Sequence, residues 1–206
     1  MTVVVGILGG VASGKSQVTQ ILKGLGAEVV SADLIAHEVL REPKVVEKLV
    51  DEFGPQILSG QKESELPLPT VDRKSLAALV FGESDENTVR RKRLEAIVHP
   101  RIRNIGHARL ERIKSSGSAR LVVLDVPLLV EGGWLPWCDR VIFVDSPETM
   151  RKTFALERGW SEIEWRHREA AQLKLQEKRS LSTDILVNNA SLSQLESRVR
   201  DMIATW

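Results

Sequence analysis

The chain has 206 residues, of which 42% are hydrophobic and 28% charged, and this is typical of a folded protein with one sizeable core. Its 29 lysines and arginines nearly balance its 28 aspartates and glutamates, which argues against a general nucleic-acid binder. The single cysteine excludes an intrachain disulfide, and without a long apolar run or a signal-peptide pattern we expect a soluble, cytoplasmic protein with no membrane partner.

The first part of the chain has the pattern of a βαβ unit. Residues 3–8 form a continuous apolar run, typical of a buried strand, and a glycine-rich segment follows them. Apolar residues at helical spacing predict a helix over residues 18–25, ended by Gly26, and residues 27–31 predict a second strand. Because the two strands and the helix lie within about 30 residues, the sheet should be parallel.

Helical patterns follow as far as residue 118. The predicted helices cover residues 34–40, 45–53, 74–81 and 87–114, and the last should be kinked or divided at Pro100. Residues 59–70 combine glycine, prolines and charges, which predicts an exposed loop.

The rest of the chain returns to an alternation of strands and helices. Strands are predicted at residues 121–126, 140–145 and 184–189, and a final helix at residues 192–203. Ser146 is predicted to cap a helix with Pro147 at its first position, and residues 160–179 to form a charged helix. The strands enclose helical insertions at 34–118 and 151–180, and both should emerge where ligands bind, at the carboxyl ends of the strands.

The strongest functional signal is "GGVASGKS", residues 9–16, which matches G-x-x-x-x-G-K-[ST] between a strand and a helix. In such a loop, backbone N–H groups surround phosphate oxygens, Lys15 reaches the β- and γ-phosphates, and Ser16 ligates Mg²⁺. A glycine-rich turn with a solvated lysine is the alternative, but the complete motif favours a nucleoside-triphosphate site. The predicted ATP contacts here are Gly10, Val11, Ala12, Ser13, Gly14, Lys15, Ser16 and Gln17.

The rest of the sequence favours phosphoryl transfer to a small molecule over GTPase switching. "DEFG", residues 51–54, matches the switch motif D-x-x-G, but it ends a helical pattern, and the base-reading motif N-K-x-D is missing. The chain is also too short for the large recombinase-type or transporter ATPases.

Two carboxylates follow predicted strands. Asp33 comes just after the second strand, so it could orient or deprotonate an acceptor hydroxyl, or it could be the N-cap of the next helix; the two roles are compatible. Asp125 closes an apolar strand in the manner of a Walker B residue. It could therefore lie beside Mg²⁺, or it could hydrogen-bond to the backbone of the P-loop.

Several further segments carry a family resemblance when they are taken with the loop. They are "GILGGVASGKS", "GLGAEVVSADLIAHEVL", "EFG", "VDRKSLAALVF", "IVHPRIR", "DVPLLVE" and "QLKLQEKR". The phosphate-binding loop (P-loop) is shared by many enzymes, but its combination with "AD-x-x-A-H" and "PLL-x-E" is specific. By these segments the chain resembles the dephospho-CoA kinase family over nearly its whole length and in the family's order.

The resemblance implies a single-domain α/β P-loop kinase fold: a five-stranded parallel sheet flanked by helices, a helical CoA subdomain and a mobile lid. We place the core at about 1–33, 119–150 and 181–206, the subdomain at about 34–118 and the lid at about 151–180. The implied reaction transfers the γ-phosphoryl group of ATP, with Mg²⁺, to the ribose 3′-hydroxyl of dephospho-CoA, the last step of coenzyme A synthesis. We expect a monomer or a small homo-oligomer.

The resemblance also implies roles for individual residues. Asp33 matches the acidic residue proposed to activate the acceptor hydroxyl. At the lid positions that face phosphate and nucleotide, Arg158 and Lys178 are assigned to ATP, and Arg168 and Gln172 to the substrate. The other substrate candidates are Arg73, His99, Arg101 and Glu131. His99 could instead be a buried hydrogen-bonding residue, and Arg73 could form a salt bridge at a helix start.

The sequence departs from the family pattern at several positions. Many relatives have "DAD" where this chain has "SAD", so only the carboxylate of Asp33 can be carried over. Phe154 stands where the lid usually has an arginine, and Arg151 is a candidate substitute. Ser182 and Thr183 replace Ala-Asp, and the loop at 59–70 is longer than usual.

Two other functions stay open. The chain could be another P-loop kinase, with a nucleotide, a shikimate-like or a gluconate-like acceptor. It could also be a non-catalytic nucleotide sensor, although Asp33 and the acceptor-side motifs argue against that.

Overall fold

The computed structural model describes residues 2–59, 70–82 and 84–206, and it confirms the α/β fold with a five-stranded parallel sheet. The strand order is β2-β3-β1-β4-β5. The strands are β1 (Val3–Gly9), β2 (Glu28–Ser31), β3 (Leu121–Asp125), β4 (Arg140–Asp145) and β5 (Asp184–Val187). The chain divides into a sheet unit, which runs up to Ser31 and again from Arg109 to Trp206, and a helical unit, Ala32–Ala108.

The core of the sheet unit forms around its central strand. Because β1 is apolar on both faces, helices can pack on both faces of the sheet, as is usual for parallel sheets. Two helices, α1 (Lys15–Gly24) and α9 (Leu192–Ile203), pack against the sheet in one apolar cluster. The parallel register brings the carboxyl ends of β1 and β3, which are Gly9 and Asp125, to the same edge of the sheet.

Three helices of the sheet unit correct the sequence expectations: α6 (Glu148–Glu157), α7 (Glu162–Ala170) and α8 (Leu175–Ser180). The predicted cap is wrong by one residue, because Pro147 has an extended ψ of 145° and is itself the N-cap, while the side chain of Ser146 is buried. The single helix predicted over 160–179 is also wrong. It is broken before α8, where Glu131 accepts a hydrogen bond from the backbone N–H of Leu173.

The helical unit contains α2 (Ala32–Val39), α3 (Pro43–Phe53), α4 (Arg73–Val80) and most of α5 (Asp85–Ser116). The α5 helix is not divided at Pro100, since buried Val98 and Ile102 on either side anchor the turns that lack the proline's N–H. Most of the loop predicted at 59–70 lies outside the described residues. In the part of the chain that the structure describes, no helix has the length and apolarity to cross a membrane.

Candidate active site

The predicted P-loop connects β1 to α1, as the motif requires. Its backbone turns twice through the left-handed region, at Ala12 with φ 60° and at Gly14 with φ 94°. A β-carbon at Gly14 would clash with Nδ2 of Asn188, so both the conformation and the space require glycine here. α1 begins directly afterwards with Lys15 and Ser16, which places a helix N-terminus at the loop.

Two distant side chains hold the loop through its carbonyl groups. Asn188 Nδ2, just after β5, donates to the Ser13 carbonyl at 2.9 Å, and Trp165 Nε1 on α7 donates to the Val11 carbonyl at 3.4 Å. Sequence analysis missed both contacts, because nothing in the local pattern pairs either residue with the loop. The Ser13 hydroxyl is buried without a hydrogen-bond partner, so the loop keeps an unused polar group.

Positive charge is concentrated at the start of the loop. Lys15 Nζ donates to the Gly10 carbonyl at 2.7 Å and to the Gly9 carbonyl at 3.3 Å, while Lys178 Nζ lies 3.4 Å from the Gly9 carbonyl. Burial, together with the positive charges of Lys178, Arg158 and Arg151, lowers the pKa of Lys15 to about 8. Four cations around one loop with a helix N-terminus fit a polyanion such as a triphosphate.

Triphosphate binding should therefore take up protons at about pH 8.5, because an anion beside Lys15 raises a pKa that lies near 8 in the free protein. For the same reason the affinity for the triphosphate should fall as the pH rises above about 8.5. Calorimetric titrations with ATP in two buffers of different ionisation enthalpy would measure the uptake. Lys15→Arg, which stays charged, should abolish it, and wild-type binding without uptake would contradict the prediction.

Two oxygen-bearing side chains at the site fit a magnesium ion. Ser16 is exposed in the first turn of α1, and Asp125 ends β3 close enough to Lys15 to oppose the lowering of its pKa. A hydroxyl and a carboxylate suit Mg²⁺, which usually keeps several waters and binds phosphate oxygens. Among the described residues, no group of three or more His, Cys, Asp or Glu side chains could hold a metal. Substrate phosphates and water would have to complete the coordination.

The structure connects three of the remaining candidates of the sheet unit to each other and to the loop. Lys178 donates to Gln172 Oε1 at 2.6 Å, and Glu131, which receives the N–H of Leu173, partly offsets the lowering of the Lys178 pKa by burial. The contacts that connect Glu131 to the P-loop therefore pass through the segment between α7 and α8 and through Lys178.

Arg158 and Arg168 both lie close to the ring of Trp160. The guanidinium groups of Arg158 and Arg168 lie 5.7 and 4.3 Å from the ring centre of Trp160. Both are exposed, and Arg168 also pairs with Glu164 one turn away on α7, at 2.9 Å. The charge of Arg158 helps to lower the pKa of Lys15, which places this charge near the P-loop.

The other four candidates belong to the helical unit, and their roles stay predictions. Asp33 is exposed and is the second residue of α2, so its interpretation as the N-cap is wrong. His99 is exposed on α5, which rules out its interpretation as a buried residue. Arg73 is exposed at the start of α4, and Arg101 pairs with Glu42 at 2.7 Å.

Comparison with known proteins extends the match beyond the loop. A family model described as dephospho-CoA kinase matches residues 3–194. The dephospho-CoA kinase of Geobacillus kaustophilus is 36% identical over 208 residues, which is 100% of this chain and 98% of that protein. Among solved structures, protein TT1252 from Thermus thermophilus has a TM-score of 0.76 and 34% identity, covering 99% and 97% of the two chains.

A second solved structure agrees: dephospho-CoA kinase from Campylobacter jejuni has a TM-score of 0.71 and 26% identity, covering 99% of this chain and 96% of that one. These matches include both the P-loop and the whole helical unit, whereas a shared loop alone would match only the start of the sheet unit. The chain therefore belongs to the dephospho-CoA kinase family.

Proposed function

We propose that this protein transfers the γ-phosphoryl group of ATP to the ribose 3′-hydroxyl of dephospho-CoA, giving coenzyme A and ADP. The observation that carries the proposal is a P-loop surrounded by four cations in a chain that matches this kinase family from residue 3 to residue 194. A cytoplasmic location and a monomeric or small homo-oligomeric state stay predictions.

The nucleotide would lie along the P-loop, with its β- and γ-phosphates neutralised by Lys15 and the N-terminus of α1. Arg158 and Lys178 would add positive charge from the lid side. Ser16, and Asp125 through water, would hold Mg²⁺, which would offset the negative charge of the phosphates. The residues of this chain would thus bind and orient the phosphates for an in-line attack.

The acceptor hydroxyl would be oriented by Asp33, which accepts its hydrogen bond and takes its proton late in the transfer. Because the transition state of phosphoryl transfer is loose, charge stabilisation by the loop should outweigh the contribution of this base. The residues proposed to contact dephospho-CoA are Arg73, His99, Arg101, Glu131, Arg168 and Gln172. Closure of the segment at 151–180 over the phosphates would exclude water and suppress hydrolysis of ATP.

An ADP-release assay with a panel of acceptors tests this function directly. With ATP and Mg²⁺, dephospho-CoA should give turnover of roughly 1–100 s⁻¹, the usual range for kinases. AMP, shikimate, gluconate and water should give far slower release of ADP, because their hydroxyl groups would not be aligned with the γ-phosphate.

Each other outcome of the panel selects a different function. Fast release with another acceptor would identify another P-loop small-molecule kinase. Tight ATP binding without stimulation by any acceptor would favour a nucleotide sensor. ATP hydrolysis as fast as the transfer would contradict the proposed closure over the phosphates.

A further inference from the structure

One buried arginine of the lid has a position that the reaction scheme above leaves unexplained. Arg151 on α6 is only 4% exposed, whereas its neighbours on the helix, such as Lys152 and Thr153, are half-buried or exposed. Burying a guanidinium group costs free energy unless it is paired and hydrogen-bonded. The contacts of Arg151 should therefore show what its charge is placed for.

Two residues of α7 hold the guanidinium group. Nη1 of Arg151 donates to Oε1 of Glu169, and the guanidinium carbon lies 5.4 Å from the ring centre of Trp165. A carboxylate and an aromatic face are the partners that a planar guanidinium group suits best. We call these three residues, Arg151, Trp165 and Glu169, the arginine clamp.

The arginine clamp lies directly against the P-loop. A β-carbon at Gly10 would be 2.6 Å from Nη1 of Arg151 and 3.0 Å from its Cδ, so this approach requires glycine at position 10. Trp165 also donates its ring N–H to the carbonyl of Val11. The clamp therefore contacts two consecutive residues of the loop, and each of the two contacts comes from a different helix.

Apolar packing and charge support the same arrangement. Val11 and Ala12 form a small buried cluster with Ala155 and Trp165, so the middle of the loop is anchored on α6 and α7. The charge of Arg151 also lowers the pKa values of Lys15, which ends the loop, and of Lys178, which contacts it from α8. Its Nε is buried without a hydrogen bond.

We propose that Arg151 is a positioning residue for ATP binding: anchored by Glu169 and Trp165, its guanidinium group fixes the P-loop at Gly10, while Trp165 fixes it at Val11, in the phosphate-binding conformation. It thus makes the base of the lid part of the nucleotide site. The inference rests on the proposed function only for the binding of ATP and is independent of the acceptor.

The test compares Arg151→Met with Arg140→Met. Methionine keeps much of the length of the side chain but removes the charge and the donors. Arg140 is a matched control because it also contacts a carboxylate, Asp184 at 3.7 Å, and a tryptophan, Trp206 at 5.8 Å, but at the first residue of β4, the opposite end of the strands from the loop. Folding of each variant is checked by circular dichroism and thermal unfolding.

Arg151→Met should raise the Kd of a non-hydrolysable ATP analogue, and the KM for ATP, by about 10- to 100-fold, because a loop displaced by about 1 Å loses phosphate contacts. The KM for dephospho-CoA should change by less than about twofold, because the expected defect affects the binding of ATP and not that of the acceptor. Arg140→Met should leave the Kd of the analogue within about twofold of the wild-type value.

Two milder variants keep the proposal testable if Arg151→Met does not fold. Arg151→Lys keeps the charge without the planar fork, and Glu169→Gln removes the anionic anchor; each should raise the Kd of the analogue by about 3- to 10-fold. Wild-type affinity in folded Arg151→Met, or in both milder variants, would overturn the proposal. Equal weakening in Arg140→Met would also overturn it, as a general effect of stability. The Kd measurement tests the role of Arg151 even if dephospho-CoA proves not to be the acceptor.

Discussion

Replacing Lys15 by alanine should reduce phosphoryl transfer by about 10³-fold or more while the protein stays folded. Lys15 is the first residue of α1, and the P-loop motif directs its ammonium group at the β- and γ-phosphates. Its ammonium group donates to the loop carbonyls of Gly9 and Gly10, so its removal takes away polar contacts of the loop and little apolar packing.

The same substitution should leave stability unchanged or raise it slightly. Because burial and neighbouring cations lower the pKa of Lys15 to about 8, its charged form is disfavoured in the folded protein. Because the unfolded chain binds this proton more tightly than the folded protein does, the charge of Lys15 opposes folding at neutral pH. Thermal unfolding of the variant at pH 7, beside its kcat and KM, checks both parts of the prediction.

Lys23→Ala is the matched control for this experiment. Lys23 is exposed in the last turn of the same helix, α1, and faces none of the loop carbonyls that Lys15 contacts. Its loss should change kcat/KM by less than about twofold, as usual for an exposed residue away from a site. A loss of less than about tenfold in Lys15→Ala would contradict the assignment of the loop as the phosphate site.

The second large effect is expected from Asp33→Asn, which should lower kcat by about 10²- to 10⁴-fold, the usual contribution of a general base. Asparagine has nearly the same size and can still hydrogen-bond to the acceptor hydroxyl, but it cannot take up the proton. The effect should appear in kcat more than in the KM for ATP, because the proposed role of Asp33 is on the acceptor side. Steady-state kinetics with both substrates would measure it.

Glu47→Gln provides the control for a lost surface carboxylate in the helical unit, since Glu47 is exposed on α3. It should leave kcat within about twofold of the wild-type value. Asp33 lies in the first turn of α2, where a carboxylate also interacts favourably with the helix dipole. If Asp33→Asn lost less than about tenfold in kcat, with a lowered melting temperature, that local electrostatic role would replace the catalytic one.

The sequence by itself determined the features whose signals are local. The apolar run at residues 3–8, the glycines and the lysine that follows them predict β1, the P-loop and α1, because strand burial, left-handed turns and a helix start each depend on adjacent residues. The order of the family segments predicted membership of the dephospho-CoA kinase family, which the comparisons confirmed.

Only the tertiary structure decided what surrounds the loop and where several helices end. Trp165 and Asn188 contact loop residues that lie 154 and 175 positions away, and Arg151 reaches Gly10 only because α6 and α7 pack there. The break before α8 depends on Glu131, 42 residues from the N–H that it accepts. Local propensity carries no information about such distant partners, because they are brought together by the burial of the sheet and its helices.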